Sequence, residues 1–405
     1  MKVFRMERWK KNLVAVWISQ FLSFAGLTFA MPFIPFYIQS LGIESIAERN
    51  FWIAMFVSAG YTAVAIFAPV WGNLADRFGR KPMLLRANFS NSLLMIAMAF
   101  APNVVVLVIL RGIMGIFTGT TTASQSLVSS ETPIARRGFA IGLLSSAMYS
   151  GTMLGCFLGG ITVDIFGFAF TFIACGIMYL AGGIIVIFWV KEDFKKPEIS
   201  GDQRLGKKLA DGFAPLKLAW IILLLIMIMD LARQFDMPFF PLMVEKVLGH
   251  AEGSATWTGI ISSIAAGTGL LAGPVLGAVA DRFGAPRTAS TCTVLAGIFM
   301  LVQGLSNTMI QLISGRALMV FFGGGLDPVF QIWLAKSTPD KIRGVIFGWA
   351  LSAKCAGAVI AASLSGIVAT LGGIRAVYVF GCVSFILLLP LIKYGARKVT
   401  SVNNA

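Results

Sequence analysis

Continuous apolar runs of about 20 residues recur from one end of the chain to the other. A helix needs a run of about this length to cross a bilayer, whereas a strand of a membrane barrel needs only about ten alternating residues. Charged residues form only 13% of the 405 residues, against about 25% in soluble domains. A soluble fold has too small an interior for so much apolar surface, and a disordered chain has the opposite composition. The sequence therefore predicts an all-α membrane protein.

Twelve such runs can be separated, and the only long hydrophilic stretch, residues 191–217, lies between the sixth and the seventh. This stretch is rich in Lys, Arg and Gly, which is typical of a linker. We therefore expect residues 1–190 to form a first bundle of six helices, residues 191–217 a cytoplasmic linker, and residues 218–405 a second bundle of six. The predicted spans are 12–39, 51–73, 82–101, 103–127, 139–162, 169–190, 218–244, 255–277, 288–306, 308–334, 345–369 and 374–394.

Basic residues are distributed unevenly among the connections between these spans. Of the 33 Lys and Arg residues, only Arg49, Lys246 and Arg375 fall in loops on the predicted outer side. Basic loops of membrane proteins remain in the cytoplasm, so both termini are expected there. The formal net charge of +15 is thus an orientation signal that also favours anionic lipid headgroups, and it does not indicate nucleic-acid binding.

Residue patterns of catalytic and metal sites are missing from the sequence. The five cysteines lie inside apolar runs without a C-x-x-C spacing, and the single histidine, His250, has no clustered ligands. There is no G-x-x-x-x-G-K-[ST] loop for ATP and no pairing of a nucleophile with a base. We therefore expect neither an enzyme nor an ATP-driven pump, and no metal or other cofactor.

The chain repeats itself at an offset of 205 or 206 residues. Met31–Pro35 of the first span recurs as Met237–Pro241 of the seventh, and Arg111 of span four matches Arg316 of span ten. Further matches join residues 69–79 to 274–284, and Thr132, Pro133, Arg137 and Gly138 to Thr338, Pro339, Arg343 and Gly344. Several matches at one offset predict two pseudo-symmetric six-helix bundles.

The loop between spans two and three, Gly72–Lys81, reads G-N-L-A-D-R-F-G-R-K. It resembles the G-x-L-A-D-x-x-G-R-K loop of the major facilitator superfamily. The resemblance implies the major facilitator fold: twelve transmembrane helices around a central cavity in a secondary transporter that works by alternating access. It also implies that Asp76 helps close the cytoplasmic side by contacting the opposite half; the alternative is a solvated turn that only sets the topology. The expected gate residues are Gly72, Asp76, Arg77, Gly79, Arg80 and Lys81.

Glycines in span five have the spacing of the G-x8-G-x3-G-P-x2-G-G motif, although Cys156 stands where that motif has proline. The segment around Arg111 also resembles a span-four motif in which an arginine assists proton movement. The chain is similar to the twelve-span drug:proton antiporters, and to bacterial multidrug-resistance exporters, which implies a bacterial inner membrane. Alternatively, the glycines only permit close helix packing. They are Gly142, Gly151, Gly155, Gly159 and Gly160.

Charged residues inside the predicted spans are candidates for proton coupling, because each costs at least about 2.5–3.5 kcal/mol at the centre of a bilayer. Apolar burial raises the pKa of a carboxyl group and a neighbouring Arg or Lys lowers it, so moving that neighbour loads or releases a proton. The alternative is a set of permanent ion pairs that hold the second half together. The candidates are Asp230, Asp236, Asp327, Arg111, Arg233 and Lys354, and Arg316 is a further base within a span.

The resemblance implies that spans one, four, seven and ten line the cavity, where the three acids would face Arg111 or Lys354. We predict a proton-coupled exporter of lipophilic molecules that acts as a monomer, with a small-molecule substrate, protons and the lipid bilayer as partners. The alternative is a siderophore or metabolite exporter, or an organic-anion carrier, that is not driven by protons. Expected cavity walls are Gln20, Phe24, Tyr149, Phe239 and Trp333.

Overall fold

The computed structural model describes residues 7–133, 136–192, 216–336 and 343–403, with helices as their regular secondary structure. The helices are α1 (Arg8–Ala30), α2 (Ile34–Ser40), α3 (Ile46–Phe78), α4 (Arg80–Ala99), α5 (Val104–Phe117), α6 (Thr120–Glu131), α7 (Arg137–Trp189), α8 (Leu216–Gln234), α9 (Phe240–Leu248), α10 (Ser254–Phe283), α11 (Ala285–Gly304), α12 (Met309–Lys336) and α13 (Arg343–Asn403).

Eight helical stretches of the described chain are long and apolar enough to cross a membrane. Helices α7 and α13 have 53 and 61 residues, and a crossing needs only about 20. Each is interrupted by one glycine outside the helical region, Gly167 with φ 77° and Gly373 with φ 76°. The predicted all-α membrane class is confirmed, and the count of twelve spans stays a prediction.

The repeat seen in the sequence returns as matching local structure. Short 3₁₀ turns, Met31–Phe33 and Met237–Phe239, join α1 to α2 and α8 to α9, each with a proline near its start. Proline suits this position because its missing N–H would have no helical acceptor there. Gly79 and Gly284, with φ of 94° and 89°, precede α4 and α11. The same backbone solutions therefore occur once in each half.

Span four, predicted at residues 103–127, corresponds to one candidate crossing at 104–131, but the chain leaves the helix between α5 and α6, where Gly119 has φ 138°. Such a break frees backbone carbonyl groups that need donors in a membrane. Trp71 Nε1 donates to the oxygen of Ile116 at 2.6 Å, and Arg86 Nη2 donates to those of the two residues that follow it. The Arg86 guanidinium lies 3.3 Å from the centre of the Trp71 ring. These two side chains compensate for the break.

The described residues divide into two compact units. The first takes the residues within Met1–Gly42, Ile66–Pro197 and Ala251–Gly267. The second takes those within Ile43–Ala65, Glu198–His250 and Thr268–Ala405. The first unit thus includes the beginning of α10, and the second includes the beginning of α3. The predicted boundary between the sequence halves stays a prediction, since residues 193–215 of the linker lie outside the described part of the chain.

Candidate functional site

A buried ion pair joins the start of α12 to the turn between α8 and α9. Arg316 Nη1 donates to Asp236 Oδ2. The Asp236 side chain is fully buried and that of Arg316 is 11% exposed. The guanidinium also lies 4.4 Å from the centre of the Phe240 ring. Removing a charge from water is expensive, so each member of this pair depends on the other.

A second ion pair joins α12 to α13 and is more accessible. Lys354 Nζ lies 2.5 Å from Asp327 Oδ1, and Gln331 Nε2 donates to the same oxygen at 3.2 Å. The side chains of Asp327 and Lys354 are 26% and 23% exposed. About a quarter of each side chain in this pair is therefore exposed, whereas the Asp236–Arg316 pair is nearly closed off.

Asp230 on α8 differs from both of these acids. It is only 7% exposed, yet no residue of the described chain forms a hydrogen bond or an ion pair with it. Arg233 and Lys354 attract its carboxylate, and Asp327 repels it. The Cγ atom of Arg233 lies next to Gly323 of α12, 3.6 Å from the place where a Cβ atom on Gly323 would be. Asp230 is therefore a buried acid with two cations near it and no fixed contact to either.

The structure brings together only some of the acids and bases predicted to couple protons. Asp327 and Lys354 are in contact, but Asp236 pairs with Arg316 and not with Arg233. Arg316 was left out of the predicted coupling set, although its match to Arg111 in the repeat was a signal for it. Arg111 lies on α5 in the first unit, with Nη1 3.6 Å from Met114 Sδ, so its proposed meeting with the acids stays a prediction.

The expected wall residues of the cavity differ in their surroundings. Gln20 is buried and its Nε2 donates to Thr121 Oγ1 of α6 at 3.3 Å. Phe24 and Tyr149 are half-buried. Phe239 and Trp333 are buried, and Trp333 stacks on Phe330. Contact of these five residues with a substrate stays a prediction.

The basic end of the loop Gly72–Lys81 is fixed to the end of α7. The carboxylate of Glu192 accepts from the backbone N–H groups of Arg80 and Lys81, each at 2.8 Å. Lys81 Nζ donates to the carbonyl oxygens of Val190 at 2.6 Å and Ile187 at 3.0 Å. An acid at the start of a helix and a cation at the end of one both oppose the helix dipoles. Glu192 was missed because nothing in its local sequence marks it as a cap.

The rest of this loop is less constrained. Gly72 and Arg77 are exposed, and Gly79 takes the positive φ that ends α3. The side chain of Asp76 lies outside the described residues. The predicted role of these residues as a gate therefore stays a prediction.

Glycines of span five lie where α7 meets two other helices of the first unit. A Cβ atom on Gly151 would lie 2.5 Å from the carbonyl oxygen of Phe21, and one on Gly155 or Gly159 would overlap the backbone of α1. A Cβ on Gly160 would overlap Ala255 of α10. A Cβ atom on Gly142 would have no other atom within 4 Å. Four of the five motif glycines thus permit close helix contact.

The second half repeats these contacts one repeat later. A Cβ on Gly357, the counterpart of Gly151, would overlap Met227 of α8. A Cβ on Gly366, the counterpart of Gly160, would lie 2.8 Å from the Ala54 side chain of α3. Hydrogen bonds beside these contacts correspond as well. They join Asp164 to Thr256 at 2.5 and 2.8 Å, and Asn50 to Thr370 at 3.3 Å.

Comparison with known sequences places this arrangement in a family. The sequence matches the profile described as Major Facilitator Superfamily over residues 16–251 and 222–405. It is 31% identical over 374 residues to "Multidrug resistance protein MdtG" of Rahnella sp. (strain Y9602), covering 91% of this chain and 90% of that protein. It is 30% identical to the protein of the same name from Proteus mirabilis (strain HI4320), covering 93% of each.

Solved structures of low sequence identity share the fold. A mutant of the nucleoside transporter NupG superposes with a TM-score of 0.78 at 13% identity, covering 95% of this chain and 99% of that one. A bacterial homologue of the human lysosomal transporter Spinster gives 0.78 at 14% identity, covering 95% and 96%. The human organic anion transporter MFSD10 gives 0.68 at 18% identity, covering 96% and 100%.

Proposed function

Because the chain belongs to the Major Facilitator Superfamily and is therefore a secondary transporter and not an enzyme, we propose that it exports lipophilic, drug-like molecules in exchange for protons by alternating access. It is a multi-pass protein of a bacterial inner membrane, and we place both termini in the cytoplasm. Relatives named as multidrug resistance proteins align with more than nine-tenths of the chain, which supports the substrate class.

The observation that carries proton coupling is the isolation of Asp230. A buried carboxylate without a hydrogen bond or ion pair is costly, and the cost disappears when the group takes up a proton. Asp236 and Asp327 each have a cation in contact, so each of these carboxylates has a fixed counter-charge. Asp230 is therefore the acid best suited to alternate between a neutral and a charged form.

The cation that serves the charged form is Lys354. It contacts Asp327 and also attracts Asp230, so a small movement of α13 against α8 transfers it from one acid to the other. When Lys354 approaches Asp230 the proton leaves, and when it returns to Asp327 the proton is taken up again. Arg233, one turn along α8, supplies a second positive charge to the same acid.

An anionic substrate is the second candidate, and it needs an uncommitted cation in the cavity. Arg316 and Lys354 are both held by acids, which leaves Arg233 as the base on α8 for such a role. The pairing therefore favours a neutral or cationic lipophilic substrate over an organic anion.

The test uses purified protein in liposomes with an imposed pH gradient and a cationic dye as substrate. One proton exchanged per molecule supports about tenfold accumulation of substrate for each pH unit. Asp230→Asn cannot release a proton, so we expect it to lose this accumulation completely while retaining dye binding and dye-for-dye exchange without a gradient.

Glu48→Gln is the matched control, because it removes an exposed carboxylate in the first turn of α3. It should behave as the wild type. Accumulation by Asp230→Asn at the wild-type level would remove the proton role from this residue. Gradient-independent uptake of an anionic metabolite by the wild type would favour the second candidate.

A further inference from the structure

A cavity of about 380 Å³ lies within the second unit, and its lining does not include the acids and bases of the two ion pairs or Asp230. Arg49 at the start of α3 and Lys246 at the end of α9 line it, together with His250 just beyond α9. Glu245 is the acid of the lining. Leu242 and Ile374 supply apolar surface. This volume lies within the range of small-molecule sites, and the lining combines cations with one carboxylate.

Two of these cations are exceptions in the sequence. Arg49, Lys246 and Arg375 are the only Lys or Arg residues in loops predicted to be outer, because basic residues are otherwise kept on the inner side. Two of the three line this single cavity. Arg375 is committed elsewhere, since its Nη2 donates to Asn307 Oδ1 at 2.6 Å and to the carbonyl oxygen of Ser306.

No residue of the described chain forms an ion pair with Arg49 or Lys246. Arg49 is half-buried, and its buried Nε has no hydrogen-bond acceptor in the described chain. A partly desolvated guanidinium with an unused donor favours an anionic ligand, above all a phosphate, which guanidinium groups bind with good geometry.

We propose that this cavity binds the phosphoglycerol headgroup of an anionic phospholipid. The phosphate takes the donors of Arg49 and Lys246, and the glycerol hydroxyls donate to the carboxylate of Glu245. Leu242 and Ile374 contact the first methylene groups of the lipid. A bare phosphate is a poorer ligand, because it has no glycerol hydroxyl groups for Glu245 and places more negative charge beside that carboxylate.

The experiment measures lipid binding to the purified, full-length transporter by native mass spectrometry. The probes are dioctanoyl phosphatidylglycerol, dioctanoyl phosphatidic acid, dioctanoyl phosphatidylcholine and inorganic phosphate. We expect the phosphatidylglycerol to bind most tightly. Arg49→Gln combined with Lys246→Gln should weaken its binding about 30-fold, because each cation near a membrane surface contributes to the attraction of an anionic lipid.

Arg375→Gln is the matched control, since it removes the third outer cation without touching the lining. It should leave binding unchanged, and an equal loss in this variant would show only a general effect of charge and overturn the proposal. If inorganic phosphate binds with the same dependence on Arg49 and Lys246 and the lipid does not bind, the cavity is a site for free phosphate. This result would overturn the proposal of a phospholipid ligand.

Single variants keep the test decisive if the double variant is unstable. Lys246 is exposed in the last turn of α9, and Lys246→Gln should weaken the binding of phosphatidylglycerol about fivefold. Glu245→Ala should abolish the preference for phosphatidylglycerol over phosphatidic acid. Unchanged binding in Lys246→Gln, or a preference that survives in Glu245→Ala, would overturn the proposed geometry.

Discussion

The two halves of the chain share a scaffold but differ in where their charges lie. Both have the 3₁₀ turn with proline, the glycine before the third and ninth spans, and glycines at matching helix contacts. Both also carry the matching arginines Arg111 and Arg316. The acids and the lysine around Arg316 have no charged counterparts. The residues one repeat before Asp230, Asp236 and Lys354 are Phe24, Ala30 and Met148.

This difference separates two kinds of constraint. Helix contacts must be kept in both halves, since each bundle has to pack closely in lipid, where small residues permit that packing. A buried charge is costly wherever it occurs, so it persists only where it has a use or a fixed counter-charge. In the function proposed above, the second half therefore carries the coupling residues, and the corresponding positions of the first half are neutral.

The largest loss of stability should come from breaking the buried Asp236–Arg316 pair in the second half. Arg316→Met leaves the carboxylate of Asp236 buried without its cation, which costs about 3–5 kcal/mol and should lower the melting temperature in detergent strongly. The same change at Arg111 should cost less, because the position that corresponds to Asp236 holds Ala30.

A double variant separates a broken pair from lost packing. Arg316→Met with Asp236→Leu replaces both charges by apolar groups, which is often neutral for stability. It should recover most of the melting temperature. A double variant as unstable as Arg316→Met alone would contradict the view that the pair matters mainly as mutual neutralisation.

The next largest loss of stability is expected from glycine-to-alanine changes, which test whether the helix contacts of the two halves are equivalent. Gly151→Ala and Gly357→Ala should each destabilise the protein by about 1–3 kcal/mol, because the added methyl group meets the backbone of a neighbouring helix. Gly142→Ala is the control, with open space around it, and should be neutral or slightly stabilising. Thermal unfolding of the three variants provides the measurement, and very unequal losses at Gly151 and Gly357 would break the symmetry.

The sequence predicted the membrane class and revealed the repeat, and it offered close helix contact as the alternative role of the span-five glycines, because these features depend on local composition and spacing. Apolar length identifies a span, and small residues at a regular spacing indicate close packing whichever helix lies opposite. Pairing of charges depends on which spans become neighbours, and here α12 supplies Arg316 to Asp236 and Asp327 to Lys354. A single sequence contains no information on that choice beyond the repeat.

The break in span four escaped prediction for a similar reason. Residues 104–131 are apolar enough for one continuous crossing, and Thr118 and Gly119 are common within such helices. Their departure from the helix is tolerated because Trp71 and Arg86, from two other spans, supply donors to the freed carbonyls. Only the tertiary structure contains those donors.

A smaller effect is expected at the loop that the second half has lost. Pro286, which has no backbone N–H, stands where the first half has Lys81, so the pair of backbone contacts to Glu192 cannot be repeated in the second half. Glu192→Ala removes a cap from the start of α4 and should cost about 1 kcal/mol. A thermal melt tests this against Glu48→Ala, which removes an exposed first-turn acid with only a 3.4 Å bond from Trp52 Nε1 and should cost less.

The smallest effect on stability should follow from Asp327→Asn. This pair is partly exposed, and ion pairs of that kind contribute at most about 1 kcal/mol. Transport should respond more than stability. Without the carboxylate of Asp327, Lys354 is expected to stay near Asp230 and to hinder the uptake of a proton by Asp230. The expected result is a melting temperature close to the wild type with a reduced rate of proton-driven uptake. A large loss of stability with normal uptake would assign the pair to the scaffold.

The interruption between α5 and α6 also has a mechanical consequence. A continuous helix resists bending along its whole length, whereas this span can bend at one point, between α5 and α6. The bonds from the indole of Trp71 and the guanidinium of Arg86 all end on carbonyl groups of residues 116–118, so they hold the end of α5 in place and leave α6 to tilt about Gly119. In the other half, the corresponding helix α12 has no such break, but its interior Pro328 removes one hydrogen bond from the helix. Bending in the first half is thus confined to a joint whose one side is held by two side chains from other spans.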